Sequence, residues 1–367
     1  MPVSEPRYQR IQRHIEQLIA QRKVREGERI PSERAIARQF GVSQMTVNRA
    51  IQELVRAGVL VRRVGSGTYV QHRKPSTHTV ARPTVVMVPP FADHLEEDTY
   101  LRWPFHAFRD RASANGFALV VEAAHYDGYE HLVQAYPDAG FLFLIPDEQG
   151  YDTLYRLFAR GVPFVVLGAS WKEAPFACVD SDNIGGARMA VSYLFRLGHR
   201  RIAYVNGKDS ATNCRDRLHG YLQAMDEHGI PVEDDWVVRA RSNWQMDEAS
   251  RRHLTSLLLR REPITAIFCA GYYLTLDVLG LIRTLRLRVP QDVSIVSFDD
   301  PPSAAHLQPP LTVVRQPLYR MGERAIERLL STMRSSTEEQ SSVEYLPVEL
   351  VVRDSCDHAA GETHTKS

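Results

Sequence analysis

Cysteine is scarce in this 367-residue chain: four residues, Cys178, Cys214, Cys269 and Cys356, with no CxxC pair and no metal-ligand spacing. That excludes a zinc module and argues against a disulfide framework; reduced thiols in a cytoplasmic protein are expected. Long apolar runs are absent as well. No stretch approaches the ~18 residues that a membrane span needs, and the N-terminal MPVSEPRYQRIQRHIEQL has no apolar core followed by a cleavage site. Lysine is nearly as rare, with Lys23, Lys74, Lys172, Lys208 and Lys366 the whole complement. None stands in a context suited to a Schiff base, which weakens a pyridoxal-phosphate, enzyme-like body as an alternative. No Ser-His-Asp, HExxH, paired-carboxylate or GxxxxGK pattern occurs. The reading is therefore no enzyme, no catalytic residue, no cofactor and no metal.

What is present is a charge asymmetry hidden under a net charge of +1. Residues 1–75 hold 15 Arg/Lys and 6 Asp/Glu, whereas the remaining 292 hold 30 and 38. A small basic segment on a large acidic one fits a DNA-binding head on a body that does not bind DNA.

The head has a consistent pattern. Tyr8, Ile11, Ile15, Leu18 and Ile19 recur at helical spacing. After Gly27, Pro31-Ser32 opens a second helix with Ser32 as N-cap, Ile36 and Phe40 on its buried side and Gly41 at its end. Ser43 caps a third helix, which turns Val47, Ala50, Ile51 and Leu54 inward and stops at Gly58. Two β-rich runs, 59–63 and 68–70, flank Val64-Gly65-Ser66-Gly67, a hairpin turn. The order is that of a winged helix-turn-helix over residues 1–71. Its third helix offers Ser43, Gln44, Met45, Thr46 and Asn48 near its start, where a recognition helix meets base edges. The amides of Gln44 and Asn48 match adenine, and the hydroxyls of Ser43 and Thr46 suit phosphate. Arg34, Arg62, Arg63, Gly65 and Ser66 complete the candidate DNA contacts. Ser32 and Ser43 are caps in any reading.

The run PSERAIARQFGVSQMTVNRAIQELVRAGVLVRRVGSGTYV closely resembles the GntR family of bacterial regulators. The resemblance implies DNA contacts from Arg34, Ser43, Gln44, Met45, Asn48 and Gly65. Many relatives carry arginine at the places of Gln44 and Asn48, so base preference does not transfer.

Residues 72–83 read as a linker. Beyond it, apolar strand-like runs at 84–88, 118–121, 140–145, 163–168, 202–205, 264–269 and 293–298 alternate with helical stretches at 151–160, 184–197, 218–228 and 273–285. Such alternation predicts parallel α/β sheets. Two units, 84–175 with a return segment and 176–310, would enclose a cleft at the carboxyl ends of their strands. VDSDNIGGARMAVSYLFRLGHRRIAYVNG, RLHGYLQAM, ITAIFCAGYYLTLDVL, VPQDVSIVSFDD, LTVVRQPLYRMG and PVELVVRDSC resemble the effector domain of the LacI/GalR repressors, which has the two-lobed periplasmic-binding-protein-like fold (type I). The resemblance places that domain at 84–356 and implies a sugar cleft lined by Arg217, Trp244, Asp299 and Gln316. Gly271-Tyr272 stands where relatives have Asn-Asp, so Tyr272 is the candidate substitute contact. Asp182 and Asp300 read as structural caps. The whole layout is similar to that of arabinose-responsive repressors. It implies a homodimer on a palindromic operator, released by a sugar or related small molecule; an activator, or an effector other than a sugar, stays open. Residues 357–367 are polar and expected to be a disordered tail.

Overall fold

A computed structural model describes residues 11–12, 14–15, 18, 23–24, 27–56, 59–63, 67–70, 83–90, 100–240, 244–334 and 342–359, without the side chains of residues 53, 56, 63 and 234. The chain divides into two compact units, Met1–Ala81 and Arg82–Ser367. Tyr8, Ile19, nearly all of the 72–83 linker and residues 360–367 lie outside the described residues.

In the first unit, the helix Glu33–Phe40 starts where Ser32 Oγ accepts from Ala35 N, and ends at Gly41 in the left-handed region, φ 61°. The next helix, Gln44–Arg56, starts where Ser43 Oγ accepts from Thr46 N at 3.2 Å. Its inner face, Val47, Ala50, Ile51 and Leu54, packs with Ile11, Ile15 and Ile36. The strands β1 (Leu60–Arg63) and β2 (Gly67–Val70) form an antiparallel hairpin. The expected element order of the head is present.

The second unit consists of two lobes, each built on a six-stranded sheet. Lobe one contains β3 (Thr84–Val88), β4 (Ala118–Val121), β5 (Gly140–Leu144), β6 (Phe164–Leu167) and β7 (Cys178–Ser181), with β13 (Val343–Leu346) returning to its edge. Its order is β13-β7-β6-β5-β3-β4, all parallel. Lobe two contains β8 (Ile202–Asn206), β9 (Val237–Arg239), β10 (Ala266–Cys269), β11 (Ser294–Phe298), β12 (Thr312–Arg315) and β14 (Glu349–Val351). Its order is β14-β12-β11-β10-β8-β9, with only the β12–β14 pair antiparallel. The central strands β5, β8 and β11 are buried along their whole length, because helices cover both faces of a parallel sheet.

Two expectations are corrected here. Lobe two was expected to begin at residue 176, but Cys178–Ser181 pairs with β6 and β13 in lobe one. The disordered tail was expected from Asp357, but Asp357 N donates to Ser294 Oγ at 3.0 Å and Ala359 N to Leu197 O at 2.8 Å. Backbone hydrogen bonds tie 357–359 to lobe two.

The chain crosses between lobes at 181–183, 316–318 and 347–348. Ser181 Oγ donates to Gln316 Oε1 at 2.7 Å, and Asp182 N donates to Leu346 O at 2.9 Å. All three crossings are thereby bonded together.

Candidate DNA-reading face and effector cleft

On the head, the cap at Ser43 fixes where the Gln44–Arg56 helix begins, and so which side chains its first turns present. Ser43, Gln44 and Met45 are exposed and Thr46 and Asn48 half-buried. Met45 is 82% exposed. Ser43 Oγ also bonds Thr46 Oγ1 at 2.9 Å, so those hydroxyls hold each other as well as the cap. Arg34 is exposed and, with Arg38, Gly41 and Gln44, borders a groove between the two helices. Arg62, a candidate DNA contact, is paired within the head. Its Nη2 donates to Glu33 Oε1 at 2.7 Å, and the other oxygen of that carboxylate accepts from Asn48 Nδ2 at 3.5 Å. The Arg63 side chain, Gly65 and Ser66 lie outside the described residues.

In the body, Gly220 brings the helices Asn183–Arg196 and Thr212–Glu227 into backbone contact; a Cβ there would strike Ile184 O. This approach places Arg217, one turn earlier, against Asn183. Arg217 is 1% exposed. Its Nε donates to Asn183 Oδ1 at 2.8 Å, its Nη1 to Ala270 O, and its Cζ lies 3.6 Å from the centroid of the Phe298 ring. Arg217, a candidate effector contact, is covered by protein atoms in this structure and stands behind Asp299. Asp299 sits at φ 74° and accepts from Gln316 Nε2.

Asp299 and Gln316 border a cavity of about 460 Å³ with Tyr100, Trp103, Arg315 and Leu318. Trp244 borders a second cavity of about 240 Å³ with Tyr126, Tyr129, Asp147, Lys208 and Asn213. The two adjoin at Tyr100, whose hydroxyl occupies the place a Cβ on Gly168 would take, Gly168 being in the wall of the second. Both cavities lie at the carboxyl ends of the strands, as open α/β sheets place their ligands.

Gly271 explains the departure at the end of β10. A Cβ there would come within 2.8 Å of the Trp244 ring and 3.4 Å of Asp299 Oδ2. The indole takes the space of the side chain that relatives carry. Tyr272 does not replace that side chain. Its hydroxyl donates to Ser303 Oγ at 2.8 Å and its ring is buried with Ala304, Leu311 and Val313, outside either cavity wall. Asp182 is the N-cap of its helix, as expected; Asp300, expected to be a loop cap, pairs with Arg315 and Arg353 and borders the first cavity.

Sequence reasoning missed Asp147 and Asn213. Asp147 Oδ1 and Asn213 Oδ1 are buried in the second cavity's wall without a hydrogen-bond partner. Buried acceptors without a donor are costly. Asp147 Oδ2 meanwhile takes Lys208 Nζ at 2.9 Å across the lobes. Three further contacts join the lobes beside it: Arg215 to Glu148, Arg215 Nη2 to Ser170 O at 3.1 Å and Ser170 N to Thr212 Oγ1 at 3.3 Å. Burial, with the charge of Asp147, raises the Tyr129 hydroxyl pKa far above its ordinary value, so that hydroxyl stays neutral.

Comparison with known proteins agrees with both halves. Residues 7–70 match the model of bacterial regulatory proteins of the gntR family, and residues 191–356 match that of the periplasmic binding protein-like domain. The chain is similar to an arabinose metabolism transcriptional repressor of Geobacillus stearothermophilus, 30% identical over 95% of this chain and 97% of the relative. It is similar to the repressor PurR of Erwinia tasmaniensis, 28% identical over 71% of this chain and 77% of the relative. Among solved structures, it resembles a complex of the transcriptional regulator CelR with cellobiose, with a TM-score of 0.67 and 25% identity over 89% of this chain and all of the other. No helix among the described residues is long and apolar enough to cross a membrane.

Proposed function

The chain belongs to the family of ligand-responsive transcription regulators that join a GntR-type head to a periplasmic-binding-protein-like body, and from that premise we propose that it is a cytoplasmic, dimeric repressor released from a palindromic operator by a sugar or similar polyol. One observation carries the sensor half: Asp147 and Asn213, each with a buried side-chain oxygen that has no donor, stand together in the wall of one cavity. A polyhydroxylated ligand supplies donors to such oxygens, and the aromatic rings of Tyr126, Tyr129 and Trp244 in the same wall suit the apolar face of a sugar ring. Relatives named for arabinose metabolism and bound to cellobiose support the same class.

On the DNA side, Gln44, Met45 and Asn48 at the start of the third helix are the base readers in this reading, with Arg34 on phosphate. A dimer sets two such helices in successive major grooves. Effector draws the lobes together and shifts the population of the DNA-competent dimer, which it can do only by binding the two states with different affinity. No residue is given a catalytic role.

The test uses the full chain. Palindromic duplexes recovered by selection are titrated by fluorescence anisotropy over a range of salt, followed by addition of monosaccharides and disaccharides that raise its melting temperature. A falling log K with log salt and release by one sugar are expected. Binding indifferent to salt would refute the basic head as the DNA contact; no response to any polyol would refute the effector class.

A further inference from the structure

The hairpin of the head has a third edge. Gly27 N donates to Val70 O at 2.9 Å, Val70 N to Glu28 O at 2.9 Å and Ile30 N to Thr68 O at 3.0 Å. Residues 27–30 therefore run antiparallel beside β2, on the side that β1 does not occupy. Arg29 stands opposite Tyr69, and its side chain runs along the strand toward the turn. A Cβ on Gly67, the first residue of β2, would come within 2.5 Å of Arg29 Nε and 2.9 Å of its Cζ. Gly67 has φ 123°, which side chains disfavour, and the guanidinium also fills the space that a side chain there would need. The stem of Arg29 is thus laid along backbone, and its charged end is level with the first residue after the hairpin turn.

Arg29 is exposed, and among the described residues its guanidinium meets no carboxylate. Arg62, on the other strand of the hairpin, gives Nη2 to Glu33 Oε1 at 2.7 Å. The cation that the hairpin leaves for an outside anion is therefore Arg29, which no motif in the sequence singles out. We infer that Arg29 is a phosphate-binding residue of the wing, which meets the DNA backbone at the edge of a groove and fixes the wing in register without reading a base. The inference rests on the reading of the head as the part that binds DNA.

Phosphate is the partner because of where the guanidinium stops. It lies behind the turn that leads the hairpin, and the backbone bordering a groove is met before the base edges on its floor. A guanidinium presents a planar fork of donors that matches phosphate oxygens. Contacts of this kind position a protein on the duplex and carry no sequence information. Seating the stem against Gly67 before DNA arrives reduces the side-chain freedom lost on binding.

The experiment selects operators with the full chain from randomised duplexes. Wild type, R29M, R29Q and R29K are then titrated by anisotropy over a range of KCl, against the selected duplex and against duplexes with altered flanking sequence, with thermal melting of each protein. R29M keeps an apolar stem over Gly67 and removes the charge. It is expected to bind every duplex about three- to tenfold more weakly, by one common factor, and to flatten the slope of log K against log salt by about one, with melting unchanged. R29K keeps a cation and should retain the wild-type slope. One slope shared by wild type and R29M would overturn the proposal and leave Arg29 a packing residue of the wing. A loss confined to particular duplexes would overturn it in favour of base reading. Should R29M melt early, the slope of R29Q decides by itself. Wild type that binds no duplex would overturn the DNA reading of the head as a whole, a different result from wild type and R29M binding with one slope.

Discussion

Arg217 Nη2 stops 4.0 Å short of Asp299 Oδ1. The rest of the guanidinium is engaged by Asn183, Ala270 and the Phe298 ring, which hold the cation at that distance in this structure. Asp299 is thus left half-committed at a cavity wall, with Gln316 on one oxygen and room for a ligand hydroxyl. The two residues have separable roles, and substitution distinguishes them. Asp299→Asn tolerates φ 74° as aspartate does and removes only the charge. It is expected to abolish release from the operator by effector while leaving operator affinity in place, read by anisotropy with and without ligand. Loss of both would make Asp299 structural. Arg217→Ala leaves buried partners unmatched, and is expected to cost roughly 3–5 kcal/mol of stability, read by chemical denaturation.

Arg215 predicts the energetics of closure. It reaches from lobe two to Glu148 and the Ser170 carbonyl of lobe one, beside the Lys208–Asp147 pair. These contacts exist only when the lobes are together, so they favour the closed state and nothing in the head. Arg215→Ala is expected to weaken effector binding about 3–10-fold with operator affinity unchanged, consistent with the loss of roughly 1 kcal/mol from a partly exposed pair. Calorimetry of effector binding checks it; an unchanged Kd would show that the state which binds effector does not depend on this contact.

Met45 gives a prediction on the DNA side. On the proposed reading of the Gln44–Arg56 helix, the exposed Met45 side chain at its start would meet the C5-methyl group of thymine. Met45→Ala leaves the head's melting temperature unchanged, since the side chain packs on nothing in the core. Replacing operator thymines by uracil one at a time should weaken wild type about threefold at one position, and should leave Met45→Ala indifferent there. Equal sensitivity of both proteins at every position would remove Met45 from the reading face.

These residues also mark where sequence was informative and where it was not. The strands Thr84–Val88 and Ala118–Val121 stand at their expected bounds, because continuous apolar runs have one economical fate in a covered sheet. Cys178–Ser181 and Thr312–Arg315 were not legible: four residues with mixed polarity give no period, and only partners distant in sequence make them strands. Helix Arg102–Ala114 hides behind Trp103-Pro104, although proline in a first turn removes no helical hydrogen bond. The motif-bearing Asp299, Gln316 and Trp244 border the two cavities. Asp147 and Asn213 were not legible, because a cleft between lobes joins residues that no local pattern connects. Tyr272 failed for the opposite reason: its position in sequence was right, but its ring packs away from the cavities toward Ser303.

Asp180 carries the last prediction. It is buried beside the first crossing between lobes, its oxygens accepting from Ser181 N at 2.8 Å and from Ser170 Oγ at 3.2 Å. Burial pushes its pKa up to about 7; the Ser181 N–H and Arg217 oppose that, and Asp216 adds to it. The unfolded chain has an ordinary carboxyl, titrating near pH 4. Between roughly pH 4 and 7 the folded state therefore holds more protons than the unfolded one, and stability falls as pH rises through that window, then levels off. His199 acts in the opposite sense, since burial lowers its pKa and folding disfavours its protonated form below about pH 6.5. Asp180→Asn removes only the first contribution, so comparison of the two proteins cancels the histidine. The variant should gain on wild type as pH rises from 5 to 8, by an amount on the order of a few kcal/mol at most, seen as a widening gap in Tm. A gap that stays constant across that range would show that Asp180 is ionised throughout, held by Arg217 and the Ser181 N–H against the cost of burial.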